Sequence, residues 1–433
     1  VLDDKELGFS ILKLAQPLAP GATLPLDFTV AVTHAGFTNS GAPDQVNLNG
    51  SFFNNQSFFP HFGYAQHMEL TDRNERRKRD LGEPQRMAKL EDSAAYGNTV
   101  LGGDADWVHF DTTVSTSGEQ TALAPGYLQA SWEKDGRRYY RYKMDQPMMP
   151  FFAYLSARWD VKKGDWHGVP IEIYFDKKHG YNTDRMITSV QKSLDYYTTR
   201  FTPYQHKQVR ILEFPGYQSF AQSFANTIPY SEGIGFIADL RDKDDIDYVF
   251  YVTAHEMAHQ WWGHQVIGAN VQGATMLMES LSQYSALMVM EKEYGRDKMR
   301  RFLRYELDRY LSGRGGEAIE ELPLARVEGQ QYIHYNKGSL VFYRLRDEIG
   351  EEALNRALKR YLQDKGYQQA PFTTTLELLA YIRAEAPQDK QALITDLFEK
   401  IVFYDNRVTQ ASAVQRKDGQ WDVTMQLHLA KLE

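Results

Sequence analysis

The sequence predicts a multidomain α+β protein in which a β-rich N-terminal domain precedes a mostly helical domain. Short runs of alternating apolar and polar residues are concentrated before residue 178, whereas longer segments with helical periodicity follow it. The chain has 433 residues, and its hydrophobic content of 42% suffices for at least two cores. We predict a β-rich domain at 1–177, a helical domain at 178–405 and the start of a C-terminal β-domain at 406–433, with the first and last incomplete.

Alternating side chains predict the strands of the two β-rich parts. Residues 139–144 and 171–175 alternate within the first part, and residues 24–32 predict a further half-buried strand near the N-terminus. Residues 421–429 alternate in the same way close to the other end. A helical insertion is predicted at residues 71–92.

The central part of the sequence combines helical patterns with two strand-like runs. Helices are predicted at residues 182–197, 248–262, 276–294, 297–311 and 351–362, after Tyr335, and from Thr373 onward. Strands predicted at residues 208–214 and 235–240 would form a small sheet beside these helices.

The segment His255-Glu256-Met257-Ala258-His259 is the most informative local pattern. Positions i and i+4 of an α-helix share one face, so His255 and His259 can present two imidazole nitrogens to one zinc ion. Glu256 then projects beside that ion. The pattern therefore predicts a zinc site carried by a helix.

A second helical segment supplies a candidate third ligand, Glu279. Two histidines and one glutamate leave a fourth zinc position open for water, as in catalytic rather than structural zinc sites. The competing interpretation is a chance motif, since buried helical histidines are more often hydrogen-bonded core residues. The neighbouring segments favour the zinc interpretation, because Gln-Trp-Trp-Gly follows directly at 260–263 and a tyrosine in segment 334–338 opens another apolar helix.

The sequence resembles the zinc aminopeptidases of the membrane alanyl aminopeptidase type, which are gluzincins with a thermolysin-like catalytic domain. The resemblance rests on three segments in order: the zinc helix from His255 to Gly263, Glu279 with Tyr284, and Tyr335 with Lys337 and Gly338. It implies that residues 178–405 form the thermolysin-like catalytic domain. It also implies one Zn²⁺ per chain as the cofactor and peptides as the substrate.

The resemblance further implies a role for each residue of the site. The two histidines and Glu279 would hold the zinc, Glu256 would act as general base, and Tyr335 would donate to the oxygen of the transition state. Glu232 would bind the α-amine of the substrate, so that N-terminal residues are removed from peptides. Of the family's Gly-x-Met-Glu-Asn motif, only the acid is matched here, by Glu232.

Two alternatives therefore stay open. The chain could be an endopeptidase or another zinc hydrolase, because the amine-binding pattern is incomplete. It could instead be a non-catalytic regulatory module of a membrane protein, although a binding module has no need of a base such as Glu256 beside a metal.

Composition limits the choice of partners and location. The net charge is −8 with acids and bases interspersed, so nucleic acid is not an expected partner. The chain has no cysteine, which excludes disulfides and thiolate ligands. No stretch is long and apolar enough for a membrane span, so we expect a soluble region. The resemblance implies that this region is tethered to transmembrane segments of a larger membrane protein, on an undetermined side of the membrane.

Overall fold

The computed structural model describes residues 2–4, 9–33, 45–46, 50–63, 69–103, 105–317 and 319–432. Its strands in these ranges are β1 (Leu2–Asp4), β2 (Phe9–Ile11), β3 (Ser51–Asn54), β4 (Asp111–Ser117), β5 (Thr121–Leu123), β6 (Tyr127–Lys134), β7 (Arg137–Lys143), β8 (Ala153–Ala157), β9 (Asp160–Trp166), β10 (Val169–Phe175), β11 (Val209–Phe214), β12 (Thr227–Ser231), β13 (Phe403–Gln415) and β14 (Trp421–Leu432). Its α-helices are α1 (Asn55–Phe58), α2 (Arg73–Lys78), α3 (Thr183–Arg200), α4 (Tyr248–Ala258), α5 (Leu281–Tyr294), α6 (Met299–Gly316), α7 (Gly338–Ile349), α8 (Glu351–Lys365), α9 (Thr375–Glu385) and α10 (Gln391–Phe398). A β-rich part thus precedes a mostly helical part, as the sequence predicts.

Two three-stranded antiparallel sheets and the antiparallel strand pair β1-β2 form the first part of the fold. One three-stranded sheet has the order β3-β8-β5 and the other the order β4-β7-β6. The prediction at residues 139–144 is confirmed by β7, whose side chains alternate across the sheet. Inward-facing residues of these sheets, such as Phe52 and Leu155, share a core with Phe214 and Phe224. This core joins the β-rich part to the sheet that follows.

The strand predicted at residues 24–32 is wrong. The structure gives residues 22–33 an irregular conformation, and the apolar side chains of this run are all exposed. Alternation indicates a strand only where one face packs on a core, and no described strand pairs with this segment. The helical insertion predicted at 71–92 is correct only for α2, which Asp72 caps by accepting from the Glu75 N–H.

A four-stranded sheet with the order β12-β11-β10-β9 underlies the helical part. Strands β10, β11 and β12 are parallel, and all residues of β11 and β12 are buried, as expected for parallel strands covered on both faces. Because β10 pairs with both β9 and β11, this sheet continues across the predicted domain limit at residue 177. The predicted limits of the three domains stay predictions.

The predictions at residues 171–175 and 208–214 are confirmed by β10 and β11, but the one at residues 235–240 is wrong. The strand that follows β11 in the sheet is β12, which ends at Ser231. Residues Glu232–Phe236 then form a π-helical turn, so the chain leaves the sheet before residue 235.

The helices enclose α4, which is buried between α3 and α5. Asp247 caps α4 by accepting from the Phe250 N–H, and nearly every residue of the helix is buried. The helix ends at Ala258, four residues earlier than predicted, so His259 is its C-cap residue. The helices predicted at residues 182–197, 297–311 and 351–362 are confirmed by α3, α6 and α8.

The last two strands form a long antiparallel hairpin. The alternation at residues 421–429 is confirmed by β14, which pairs with β13 along its whole length apart from one bulge. Most side chains of the hairpin are exposed on both faces.

Gly273 allows the chain to pass close to a neighbouring segment between α4 and α5. Its φ is +89°, and a Cβ there would lie 2.2 Å from the Ala325 carbonyl oxygen. Gly273→Ala should therefore lower the free energy of unfolding by about 2–4 kcal/mol, through backbone strain and overpacking. Urea denaturation measures the change.

Gly315→Ala in α6 is the matched control, because no atom lies within 4 Å of the added methyl group. Its free energy of unfolding should stay the same or rise slightly. Equal stability of the two variants would show that the segment at Gly273 shifts without cost.

Candidate active site

Two residues of the site lie on α4 and a third lies at its end. His255 and Glu256 are buried in the last turn of the helix, and His259 is the C-cap. The imidazole Nε2 atoms of His255 and His259 lie 3.0 Å apart. His259 Nδ1 lies 3.0 Å from the Trp262 carbonyl oxygen, which can accept the Nδ1 proton. In that tautomer of the neutral imidazole, Nε2 is the nitrogen that can bind a metal.

π-helical turns carry the other candidate residues. Glu279 lies in the turn Met276–Ser280 and Tyr335 in the turn Tyr332–Lys337. Both turns lead directly into an α-helix, α5 and α7 respectively. Such turns are rare and occur often at functional sites, because the additional residue redirects the side chains around it.

Glu279 completes a compact group of potential metal ligands. Its Oε2 atom lies 3.3 Å from His255 Nε2 and 3.3 Å from His259 Nε2, and this buried oxygen has no hydrogen-bond partner. Ligands at about 2.0–2.2 Å from a tetrahedral zinc ion lie roughly 3.3–3.6 Å from one another. Both distances to Glu279 match this spacing, and the 3.0 Å between the two imidazole nitrogens is slightly shorter. The three atoms therefore converge on one metal position, and the unpartnered oxygen is the atom that the ion would satisfy.

The Glu279 carboxylate is ionised in this site. Burial alone would raise the pKa of the Glu279 carboxyl, but His259 and His255 hold that pKa well below its usual range. Burial raises the pKa of Glu256, and the two histidines oppose this only in part. Glu256 Oε2 is buried without a hydrogen-bond partner. Glu256 therefore lies beside the three potential metal ligands with a carboxylate oxygen that can accept a proton.

Tyr335 lies next to this group and keeps its proton. Burial, followed by the charges of Glu279 and Glu256, raises the pKa of Tyr335 well above its usual value. Its ring centroid lies 5.8 Å from that of His255. The protonated hydroxyl can thus act as a hydrogen-bond donor near the metal position.

The two residues that mark Tyr335 in the sequence have structural roles. Lys337 Nζ lies 2.6 Å from Glu321 Oε1, which fixes the end of the π-helical turn. A Cβ at Gly338 would lie 2.3 Å from Ser280 Oγ, so only glycine lets α7 approach the start of α5 this closely. Ser280 in turn donates from Oγ to the His334 carbonyl oxygen at 2.6 Å. Tyr335 and Glu279 are therefore held against each other by their own neighbours.

A cavity of about 310 Å³ opens onto these residues. The metal-binding group, Glu256 and Tyr335 line one wall of it. The rest of the lining is neutral and mostly apolar: Gln56, Val100, Leu101, Met149, Phe151, Ala221, Gln222, Ser223, Trp262, Gly263, His264, Ile267 and Met278. Burial lowers the pKa of His264 to about 4, so this imidazole is neutral near pH 7.

Sequence reasoning missed the segment 221–224, which forms one edge of the cavity. The Gln222 N–H donates to the Pro229 carbonyl oxygen and the Ser231 N–H donates to that of Phe220, so the segment pairs antiparallel with β12. Ala221 lies between these bonds, and its own N–H and C=O point away from β12. The segment has no charged or metal-binding residue, so no motif in the sequence marks it.

The structure places Glu232 in a different group, outside the cavity lining. One carboxylate oxygen accepts from the Gly216 N–H at 2.8 Å, and the other lies 3.9 Å from His179 Nδ1. His179 Nδ1 also contacts Glu213, which is buried. These three residues follow or end the parallel strands β10, β11 and β12. An ion pair at the ends of these strands accounts for the position of Glu232, and this geometry gives no support to contact with a substrate amine.

Comparison with known proteins agrees with this arrangement. The model of the peptidase family M1 domain matches residues 185–396, which include the proposed zinc ligands, Glu256 and Tyr335. The chain carries a peptidase family M1 domain.

Relatives of the M1 domain are distant in sequence. Endoplasmic reticulum aminopeptidase 2 from Homo sapiens is 25% identical over 211 residues, covering 47% of this chain and 22% of that protein. A probable aminopeptidase 1 from Sulfurisphaera tokodaii is 26% identical over 185 residues, covering 41% of this chain and 23% of that protein. The chain thus matches less than a quarter of the length of these relatives.

Similarity to solved structures covers a larger part of the chain than the sequence matches do. The M1 zinc metallopeptidase from Deinococcus radiodurans superimposes with a TM-score of 0.53 over 68% of this chain and 64% of that chain, at 17% identity. The α+β arrangement of a β-rich part followed by the helical M1 domain is therefore shared with that protein. Family membership also identifies zinc as the cofactor of the domain. Among the described residues, no helix is both long enough and apolar enough to cross a membrane.

Proposed function

We propose that this chain hydrolyses peptide bonds with a zinc-activated water and releases N-terminal residues from peptides. The observation that carries the proposal is the convergence of His255, His259 and Glu279 beside an unpartnered Glu256 in one cavity. The similarity to proteins named aminopeptidases supports the same reaction.

The proposed metal ligands are His255, His259 and Glu279. When bound, zinc polarises the scissile carbonyl and lowers the pKa of water toward about 7. Glu256 would accept a proton from the attacking water and deliver it to the leaving amine. Tyr335 would donate a hydrogen bond to the carbonyl oxygen as negative charge develops there.

The substrate backbone would lie along the segment 221–224. The outward-facing N–H and C=O of Ala221 offer one donor and one acceptor to an extended peptide. Peptides often bind by adding a strand to such an edge. Trp262 and Gly263 lie in the lining of the same cavity. The scissile bond would then be held between this edge and the end of α4.

Metal analysis tests the ligand assignment. The purified chain should bind one zinc ion per molecule, and a crystal structure should place all three ligand atoms about 2.0–2.2 Å from it. His259→Ala should bind much less zinc after dialysis, because one of three ligands is lost.

His264→Gln is the matched control for this variant. His264 lies in the same cavity, but its Nε2–H donates to the Ser223 carbonyl oxygen at 2.9 Å, so it is not positioned as a ligand. Its zinc content should equal that of the natural chain. Full zinc occupancy in His259→Ala would assign the third ligand to another residue.

Hydrolysis assays separate the proposed function from a non-catalytic module. The zinc-loaded chain should cleave unblocked peptides, and a chelator should abolish the cleavage. A zinc-loaded chain that cleaves no peptide would support a regulatory module that keeps an inherited fold.

We also propose that this region works tethered to transmembrane segments of a larger protein. The sequence resemblance stated above supports this proposal. Fractionation of the full-length protein from its native cells tests it, since the peptidase region should sediment with membranes and resist salt extraction. Recovery in the soluble fraction would contradict the tether.

A further inference from the structure

A buried glutamine connects the end of the zinc helix to the edge segment 221–224. Gln260 directly follows the proposed ligand His259 in the sequence, and it is fully buried. Its side-chain amide makes three hydrogen bonds, each to a residue in the range 223–226. The residue next to a zinc ligand is therefore bonded to the segment along which we place the substrate backbone.

The three bonds use both ends of the Gln260 amide. Nε2 donates to Ser223 Oγ at 2.6 Å and to the Phe224 carbonyl oxygen at 3.0 Å, and Oε1 accepts from the Asn226 N–H at 3.0 Å. A carbonyl oxygen can only accept and an N–H can only donate, so the amide has a single orientation. His264 adds a further bond between the same two segments, by donating from Nε2 to the Ser223 carbonyl oxygen at 2.9 Å.

The bonded residues include the turn that joins the edge segment to β12. The backbones of Phe224 and Thr227 exchange N–H···O bonds of 2.9 and 3.1 Å, so Ala225 and Asn226 are the two central residues of a tight hairpin turn. Asn226 has a φ of +49°, a conformation that asparagine adopts more readily than most residues. Gln260 thus holds this turn through backbone groups on both sides of it.

We propose that Gln260 is a positioning residue, which fixes the peptide-binding edge relative to the zinc ligands. This inference rests on the proposed peptide hydrolysis and identifies what aligns an extended substrate with the metal. A peptide that binds the edge through its backbone presents the scissile bond correctly only if edge and metal keep a constant separation. Gln260 is not among the described residues that line the cavity, so it acts through the edge and not by contact with the substrate.

Two substrates distinguish this role from general support of the fold. An unblocked pentapeptide offers a backbone to the edge, whereas leucine 4-nitroanilide has no peptide group beyond the scissile amide. Gln260→Met keeps the length of the side chain but removes all three bonds. Its kcat/KM should fall about tenfold to a hundredfold for the pentapeptide and at most about threefold for the nitroanilide, because only the extended substrate depends on the edge. Its zinc content should equal that of the natural chain.

Asn182→Leu is the matched control. Asn182 is also buried, and its side-chain Nδ2 donates to the carbonyl oxygens of Gly235 and Ala238 at 2.7 and 2.9 Å. These bonds lead to a segment outside the described cavity lining. The control loses buried amide bonds of the same kind, but its ratio of the two kcat/KM values should stay within about threefold of that of the natural chain.

Ser223→Ala tests the path of the effect with a milder change, because it removes one acceptor of Gln260 and keeps the bonds to the backbone. It should lower kcat/KM for the pentapeptide about twofold to tenfold relative to the nitroanilide, as expected for one hydrogen bond. Combined with Gln260→Met, it should add less than its single effect, since one bond is removed by both changes.

Three results would overturn the proposal. The first is an equal loss on both substrates in Gln260→Met, and the second is a loss of zinc from that variant, since either would make Gln260 a support of the fold or of the metal site. The third is full multiplication of the two single effects in the double variant, which would show that Gln260 and Ser223 act separately.

Binding measurements separate a failure of this inference from a failure of the proposed function. Calorimetric titration of the pentapeptide into zinc-loaded Glu256→Gln, with and without Gln260→Met, gives affinities without turnover. The second substitution should weaken the affinity at least about tenfold. If the natural chain hydrolyses neither substrate, the proposed function is contradicted, but this loss of affinity still supports the positioning role. An unchanged affinity contradicts the positioning role, whether or not the natural chain hydrolyses peptides.

Discussion

Glu256→Gln should lower kcat by about a hundredfold to ten-thousandfold while the chain keeps its zinc. Glutamine has the shape of glutamate but cannot accept the proton of the attacking water. Glu256 is 5% exposed, adjacent to His255 in sequence, and its Oε2 atom has no other hydrogen-bond partner. A buried carboxylate oxygen without a hydrogen-bond partner is destabilising, which favours a catalytic role over a structural one.

Turnover of an unblocked peptide and zinc content should be measured on the same preparation. Glu306→Gln is the matched control, because Glu306 is also buried but lies outside the cavity lining. Its carboxylate accepts from Asn336 at 2.7 Å, and a glutamine oxygen can accept in the same way. Loss of zinc from Glu256→Gln would make that residue structural, and full activity would remove it as the base.

The zinc helix could be predicted from the sequence because its signal is local. The spacing of His255 and His259 follows from the helical repeat, and Asp247 and Gly263 mark the ends of the segment. The structure shortens this helix, since His259 caps it, but the two imidazoles still meet. Because the two ligands are only four residues apart, a helix that ends earlier than predicted still brings both imidazoles together.

The sequence singled out Glu279 and Tyr335 as site residues, but it did not predict the backbone conformation around them. Both lie in π-helical turns, where the composition is the same as in an α-helix and the apolar periodicity is interrupted for one turn only. Nineteen residues separate His259 and Glu279, and the loop between them depends on Gly273 at positive φ. Their distance in space follows from tertiary packing, which no local pattern encodes.

The neutral edge at 221–224 could not be predicted from the sequence. Its importance comes from pairing with β12 beside the cavity, and none of its residues has a metal-binding or charged side chain. The sequence suggested an amine-binding role for Glu232 because it matches the acidic residue of the Gly-x-Met-Glu-Asn motif. In the structure, its carboxylate is bonded to Gly216 at the end of the sheet.

Tyr335→Phe should lower kcat by about a hundredfold to a thousandfold, with little change in KM. Removing one donor to a developing oxyanion typically costs about 2.7–4 kcal/mol of transition-state stabilisation. The loss falls on kcat because the carbonyl oxygen becomes a strong acceptor only in the transition state. Burial keeps the Tyr335 hydroxyl protonated, so the donor is present throughout the neutral pH range.

Tyr332→Phe in the same π-helical turn is a closely matched control. The Tyr332 hydroxyl is buried without a hydrogen-bond partner, and the residue is absent from the cavity lining. Its removal should leave kcat unchanged, and the stability of the fold should stay the same or rise, because no bond is lost. Steady-state kinetics on both variants, with zinc content verified, separates the two positions. Equal kcat values for Tyr335→Phe and the natural chain would restrict Tyr335 to packing against His255.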